Sequence, residues 1–165
     1  MQTFPLNRLT FRGCQGCDAC KTRLDRCALE DELTPVLEAV RESEVLLLAS
    51  PVYYGDVSSQ LKAFIDRTYS FVVPDYRTSA KRHRFAGSKE LVFVLTQSNP
   101  DERMFADIHA RYGIFLGAMG FERRHLIRAC GVLGAGAVNE RPDCLTLAET
   151  TAETVCRAAR SEGWL

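Results

Sequence analysis

Four cysteines fall within fourteen residues, as Cys14-Gln-Gly-Cys17-Asp-Ala-Cys20 followed by Cys27, a C-x2-C-x2-C-x6-C spacing. Thiolates are soft ligands that select zinc and iron–sulfur clusters. Three of them two residues apart can aim successive sulfurs inward around one corner of a cubane, with the fourth closing the cage from a short excursion. Gly13 and Gly16 lend the backbone the freedom that so tight a loop needs. Zinc is the competing metal, although its structural sites usually come as two separated cysteine pairs. Thiols that hold no metal are the third reading. Cys130, Cys144 and Cys156 stand alone and read as small buried apolar residues.

A second constellation is Ser50-Pro51-Val52-Tyr53-Tyr54-Gly55-Asp56-Val57-Ser58, directly after an apolar run. Pro51 fixes one backbone torsion and Gly55 permits a turn closed to other residues, so such a loop can hold its N–H groups toward the polar edge of a flat ring. Tyr53 or Tyr54 would cover the ring's face; the plainer alternative is that both tyrosines plug the end of a sheet. Thr96-Gln97-Ser98-Asn99-Pro100, after the next apolar run, makes a second polar loop for the same rim. Lys81-Arg82-His83-Arg84 could attract the phosphates of a nicotinamide cofactor, and otherwise reads as a solvated surface loop.

These residues need elements to place them. The chain has 165 residues, enough for one domain with a buried core, read here as spanning 1–165 with the cysteine loop at 13–28. Acidic and basic residues balance at 21 each, which argues against nucleic acid or an anionic membrane as the main partner. No apolar run approaches the roughly 20 residues that span a bilayer. The start lacks a secretory pattern, and this cysteine usage suits a reducing, cytoplasmic setting. Asp31–Glu42 carries Leu33, Val36, Leu37 and Val40 at helical spacing, with Pro35 in the first turn. Val45–Ala49 and Leu91–Leu95 are unbroken apolar runs, as in strands buried on both faces. Ser58 or Ser59 caps a helix with Leu61, Phe64 and Ile65 inward. Asp101–Gly117 reads as a helix, Arg124–Cys130 as a strand, Asp143–Arg160 as a last helix, and Ser70–Ser88 as a long surface loop. Strand and helix alternate, which predicts an α/β fold of three layers around a parallel sheet, with the ligand beyond the carboxyl ends of the strands.

Gly16-Cys17-Asp18-Ala19-Cys20, Glu30-Asp31-Glu32, and Ser50–Asp56 leading into Leu61-Lys62-Ala63-Phe64-Ile65-Asp66-Arg67 resemble the iron–sulfur flavoprotein branch of the NAD(P)H-dependent FMN reductase family, within the flavodoxin-like superfamily. Gly87-Ser88-Lys89 and Thr96–Pro100 are similar too. The resemblance implies a flavodoxin-like doubly wound sheet, FMN, and a homodimer or homotetramer. It implies a [4Fe–4S] cluster on Cys14, Cys17, Cys20 and Cys27, and flavin contacts from Pro51, Val52, Tyr53, Tyr54, Gly55, Thr96 and Gln97. The family pattern begins with a strand, a Ser/Thr-rich phosphate loop and a helix. This sequence begins at what looks like the second strand, so the first strand and helix are expected to be missing.

Three functions follow as expectations. The first is an FMN-dependent oxidoreductase passing electrons between the cluster and FMN. The second is a cluster-free NAD(P)H-dependent FMN or quinone reductase. The third is a non-enzymatic metal- or redox-sensing module. Bleaching of bound flavin by NADPH favours the second, and bleaching only by reduced ferredoxin or a chemical donor favours the first.

Overall fold

The two unbroken apolar runs form parallel neighbours in the sheet, and the helices between them cover one face of it. The computed structural model describes residues 1–163. In chain order the elements are a helical turn α1 (Ala19–Thr22), α2 (Thr34–Glu42), β1 (Val45–Tyr53), β2 (Asp56–Val57), α3 (Ser59–Arg67), β3 (Lys89–Gln97), α4 (Asp107–Ala118), β4 (Phe121–Cys130) and α5 (Pro142–Ser161). The sheet runs β2-β1-β3-β4, with β1, β3 and β4 parallel and β2 antiparallel to β1. Leu46, Leu48 and Ser50 stand level with Leu91, Phe93 and Leu95, so these residues share one face of the sheet. On that face lies the core, completed by Val36, Leu37 and Val40 of α2, Leu61, Phe64 and Ile65 of α3, and Ile108, Tyr112 and Leu116 of α4. An irregularity at Lys89/Glu90 puts Arg123 level with Glu90. Both point to the other face, where Arg123 also pairs with Glu162 just past α5.

This is the α/β layering that the alternation of runs implies, with several local differences. Met1–Pro5 forms no strand and Leu6–Arg8 is a single 3-10 turn. A strand needs an edge to pair with, and Pro5 brings no N–H to one; Phe4, Leu6, Leu9 and Phe11 instead pack against the core. β1 extends four residues past Ala49, so the segment expected as a loop is the end of a strand and a hairpin. Nor is β1 buried on both faces: Leu47 is 55% exposed, because no helix among the described residues lies over it. The helix expected from Asp101 begins at Asp107, and Phe105 before it has a φ of 63°. The stretch expected as a surface loop buries Phe71, Val72 and Phe85, the two phenylalanine rings 5.0 Å apart. Cys130 and Cys144 are buried as expected of lone cysteines, whereas Cys156 is exposed.

Candidate functional site

The carboxyl ends of β1 and β3 form a rim. Val52 pairs with Val57 and Tyr53 with Asp56, leaving Tyr54 and Gly55 as a two-residue turn. Their φ angles are 50° and 80°. Positive φ at both positions is the requirement of the tightest hairpin, usually met by Asn-Gly or Gly-Gly. A tyrosine there is strained, a state that persists only where the surroundings enforce it. The enforcement comes from Asp56. Its Oδ1 accepts from Val57 N–H at 2.7 Å and from the Tyr112 hydroxyl at 2.8 Å, and its Oδ2 accepts from Arg111 at 2.9 Å. Burial pushes the Asp56 carboxyl up, and those three donors outweigh it, holding the group below the usual carboxylate range. Burial and the bond to Asp56 push the Tyr112 hydroxyl well above its usual range. From the other side the Phe105 ring closes on Gly55, where an added Cβ would stand 3.1 Å from it.

The result is a fixed hairpin with Tyr53 63% exposed and Tyr54 wholly so. Pro51 stands level with Thr96, so Pro51, Val52, Tyr53, Tyr54, Gly55 and Thr96 are brought together at one rim. Both tyrosine side chains are thus largely in solvent above a rigid turn, with room beside them for a flat ligand. Gln97 is differently employed: it is buried, donates to the carbonyls of Asn99 and Asp101, and accepts from Arg128. Its side chain holds the second loop of the rim in shape.

The cysteine loop hangs from α3. Arg67, whose side chain is 0% exposed, donates to the carbonyls of Arg12 and Leu29 and to both oxygens of Asp31. Burial would lower the pKa of this guanidinium, and the Asp31 bond and the Cys27 thiol beside it raise it overall. Within the loop, Lys21 Nζ lies 3.5 Å from Cys20 Sγ and donates to the carbonyls of Tyr69 and Val72, while Arg84 donates to the Cys20 carbonyl. Cys14 and Cys17 are exposed, and Cys20 and Cys27 half-buried. Among the described residues no three Cys, His, Asp or Glu side chains converge as a metal site would need. Four thiols are the right chemistry for a cluster, but in this arrangement they do not fit one.

Sequence reasoning missed Asp56, Tyr112, Phe105 and the role of Arg67. Arg67 did carry a signal: it lies three residues after Phe64, on the apolar face of α3, where a cation must find partners. The basic stretch divides. Arg84 turns to the cysteine loop, whereas Lys81, Arg82 and His83 line an open groove with Ile114, Glu122 and Arg124. Arg124 stands level with Leu91, five residues and about 17 Å down the sheet from Thr96. That groove is not at the rim.

Parallel strands joined by helices, with a rim of turns at the strands' carboxyl ends, define a flavodoxin-like α/β fold. Solved structures share it. The FMN-dependent NADH-azoreductase of Bacillus anthracis, in complex with FMN, superposes with a TM-score of 0.53 at 11% identity, over 74% of this chain and 61% of that one. Smu.1420 of Streptococcus mutans gives 0.54 at 17%, over 73% and 65%. The chain belongs to the NADPH-dependent FMN reductase family, whose profile matches residues 2–119. It is also similar to proteins named iron-sulfur flavoprotein. One from Archaeoglobus fulgidus is 36% identical over 78 residues, 44% of this chain and 40% of the relative. One from Methanosarcina thermophila is 36% identical over 55 residues, 33% of this chain and 28% of the relative. The chain thus matches less than half the length of these relatives.

Proposed function

We propose that this chain is a flavin-dependent oxidoreductase that holds FMN at the rim between the Pro51–Gly55 hairpin and the loop after Thr96. The observation that carries it is the Tyr54-Gly55 turn: a strained backbone, locked by Asp56 to α4, that stands two tyrosine rings in solvent at the place where this fold binds ligands. Membership of the FMN reductase family and the FMN-bound azoreductase of the same fold support the choice of cofactor.

The flavin supplies the chemistry of accepting electrons from a reduced nicotinamide and passing them to an acceptor such as a quinone or a second flavin. The chain's own residues bind and orient. Tyr54 or Tyr53 stacks on one ring face and excludes water from it. The Pro51–Gly55 backbone, unable to adjust, offers its N–H groups to the polar ring edge. Gln97 keeps the Asn99–Asp101 turn in place through two hydrogen bonds donated by its side-chain amide. NAD(P)H is the proposed donor, and a homodimer or homotetramer the proposed assembly.

In a finer reading Cys14, Cys17, Cys20 and Cys27 would hold an iron–sulfur cluster, which would supply one-electron chemistry and suit reduced ferredoxin as donor. The soft donor set and the names of the relatives favour it; the spread of the four thiols in this arrangement does not.

One preparation tests both. The protein is purified without oxygen and assayed for flavin, iron and labile sulfide. FMN is then titrated against wild type, Tyr53→Ala and Tyr54→Ala, following flavin fluorescence. Stoichiometric FMN, weakened by either substitution, is expected. Failure of wild type to bind FMN, or binding indifferent to both tyrosines, removes the proposal. Flavin without iron and sulfide removes the cluster alone. Rapid bleaching by NADPH identifies the nicotinamide as donor.

A further inference from the structure

The cysteine loop leaves the body of the domain at Arg12 and returns at Leu29, and both ends meet on one side chain. Arg67 Nη1 donates to the Arg12 carbonyl at 2.8 Å and to Asp31 Oδ2 at 2.8 Å. Its Nη2 donates to the Leu29 carbonyl at 3.0 Å and to Asp31 Oδ1 at 3.3 Å. Asp31 completes the closure by accepting from the N–H groups of Arg12 and Leu33. Four acceptors on a planar, fully buried fork is a geometry that arginine meets and lysine does not. Just past the clamp Gly13 lies against α3, where an added Cβ would fall 3.5 Å from Ala63.

The other end of α3 is fixed to the rim. Ser58 caps the helix by accepting from Leu61 N–H, and its own N–H donates to Ser50 Oγ on β1 at 2.9 Å. Nine helical residues span about 14 Å. One rigid element therefore carries the rim hairpin at its first turn and the closed loop at its last.

We propose that Arg67 is the positioning residue of the cysteine loop, closing its two stems so that α3 sets where the thiols stand relative to the rim. The clamp stands independently of what the loop binds; only the value of that spacing for electron transfer rests on the reading of the rim as a flavin site.

The test compares wild type with Arg67→Met, Arg67→Lys and Asp31→Asn as full chains. Hydrogen exchange of amides 12–33 and alkylation of each cysteine by iodoacetamide are read by mass spectrometry. Thermal melting and FMN content are measured alongside. Expected for Arg67→Met is about tenfold faster exchange in the loop and alkylation of Cys20 and Cys27, with the buried Cys130 and Cys144 and the strands β3 and β4 unchanged. Arg67→Lys is expected to restore part of the protection, since an ammonium can hold the carboxylate but not both stems. Asp31→Asn is expected to fall between wild type and Arg67→Met. Loop protection that survives Arg67→Met overturns the proposal. So does a loss shared equally by β3, β4 and the loop, which would make Arg67 a general stabiliser; if Arg67→Met does not fold, the same two outcomes are read from Arg67→Lys and Asp31→Asn. Wild type without FMN would sink the proposed function and leave the clamp standing.

Discussion

At the scale of single residues, Tyr54 stands out because its backbone is in a region that costs an L-residue about 1–2 kcal/mol. Glycine would take up the same φ without strain. Tyr54→Gly is expected to raise the unfolding free energy by about 0.5–1 kcal/mol in urea titrations, the relief of strain less the extra entropy glycine brings to the unfolded chain. The same variant is expected to weaken FMN by about fivefold to tenfold, roughly the worth of one aromatic stacking contact. Gain of stability without loss of flavin would mean that Tyr54 does not touch the ring. Asp31 and Asp56 make the second residue-scale case. Burial acts upward on both carboxyls, and Arg67 and the Arg12 N–H at Asp31, like Val57, Tyr112 and Arg111 at Asp56, carry both below their ordinary range. A carboxyl depressed in the folded state adds stability above its unfolded pKa of about 4, and that share is lost as pH falls through the folded value. Stability is therefore expected to hold from neutral pH to about 5 and to decline below about 4, with a shallower decline in Asp56→Asn. A decline of unchanged slope in that variant would deny Asp56 its part.

At the scale of elements, α3 was the most legible piece of the chain. A serine cap at Ser58 or Ser59 announced its start and Leu61, Phe64 and Ile65 its buried face; the structure caps it with Ser58 and buries all three. Ser58→Ala is expected to cost about 1 kcal/mol as a lost cap. Ser50→Ala should instead quicken hydrogen exchange at the rim hairpin, because its hydroxyl oxygen accepts from the Ser58 backbone N–H and ties the helix to β1. An unaltered hairpin in Ser50→Ala would deny that tie. Other elements were hidden for reasons of their own. Phe85 lies in a stretch rich in charge, and its burial against Phe71 and Phe121 depends on residues far along the chain. The delayed start of α4 has a similar cause: Gln97 and Arg128 capture the carbonyls of Asp101, Glu102 and Met104, so the turns before Asp107 cannot join the helix. The rim was legible in Pro51, Tyr53, Tyr54 and Gly55, because turn chemistry is local. Its anchor, Asp56 on Tyr112 and Arg111, spans more than fifty residues and leaves no periodic trace.

For the whole molecule, the informative contrast is between β1 and β3, which look alike as sequence. Both are unbroken apolar runs, yet β3 is buried along nearly its whole length while β1 turns Leu47 and Ala49 to solvent. Which of two apolar strands is covered is decided by the layers around them, and α5 lies along β4 rather than β1. Leu47 and Leu48 turn this into a measurement, being neighbours of identical chemistry on opposite faces, 55% and 5% exposed. Leu48→Ala leaves a cavity in the core beside Phe93 and is expected to cost about 2–5 kcal/mol. Leu47→Ala removes a side chain that is mostly in water already, and an isolated chain with this arrangement should lose less than about 0.5 kcal/mol. Urea unfolding of both variants at several protein concentrations decides between two pictures. Unequal costs, independent of concentration, mean that β1 stands bare in the working protein. A large cost at Leu47, or one that grows with concentration, means that another layer of protein lies over this face of β1.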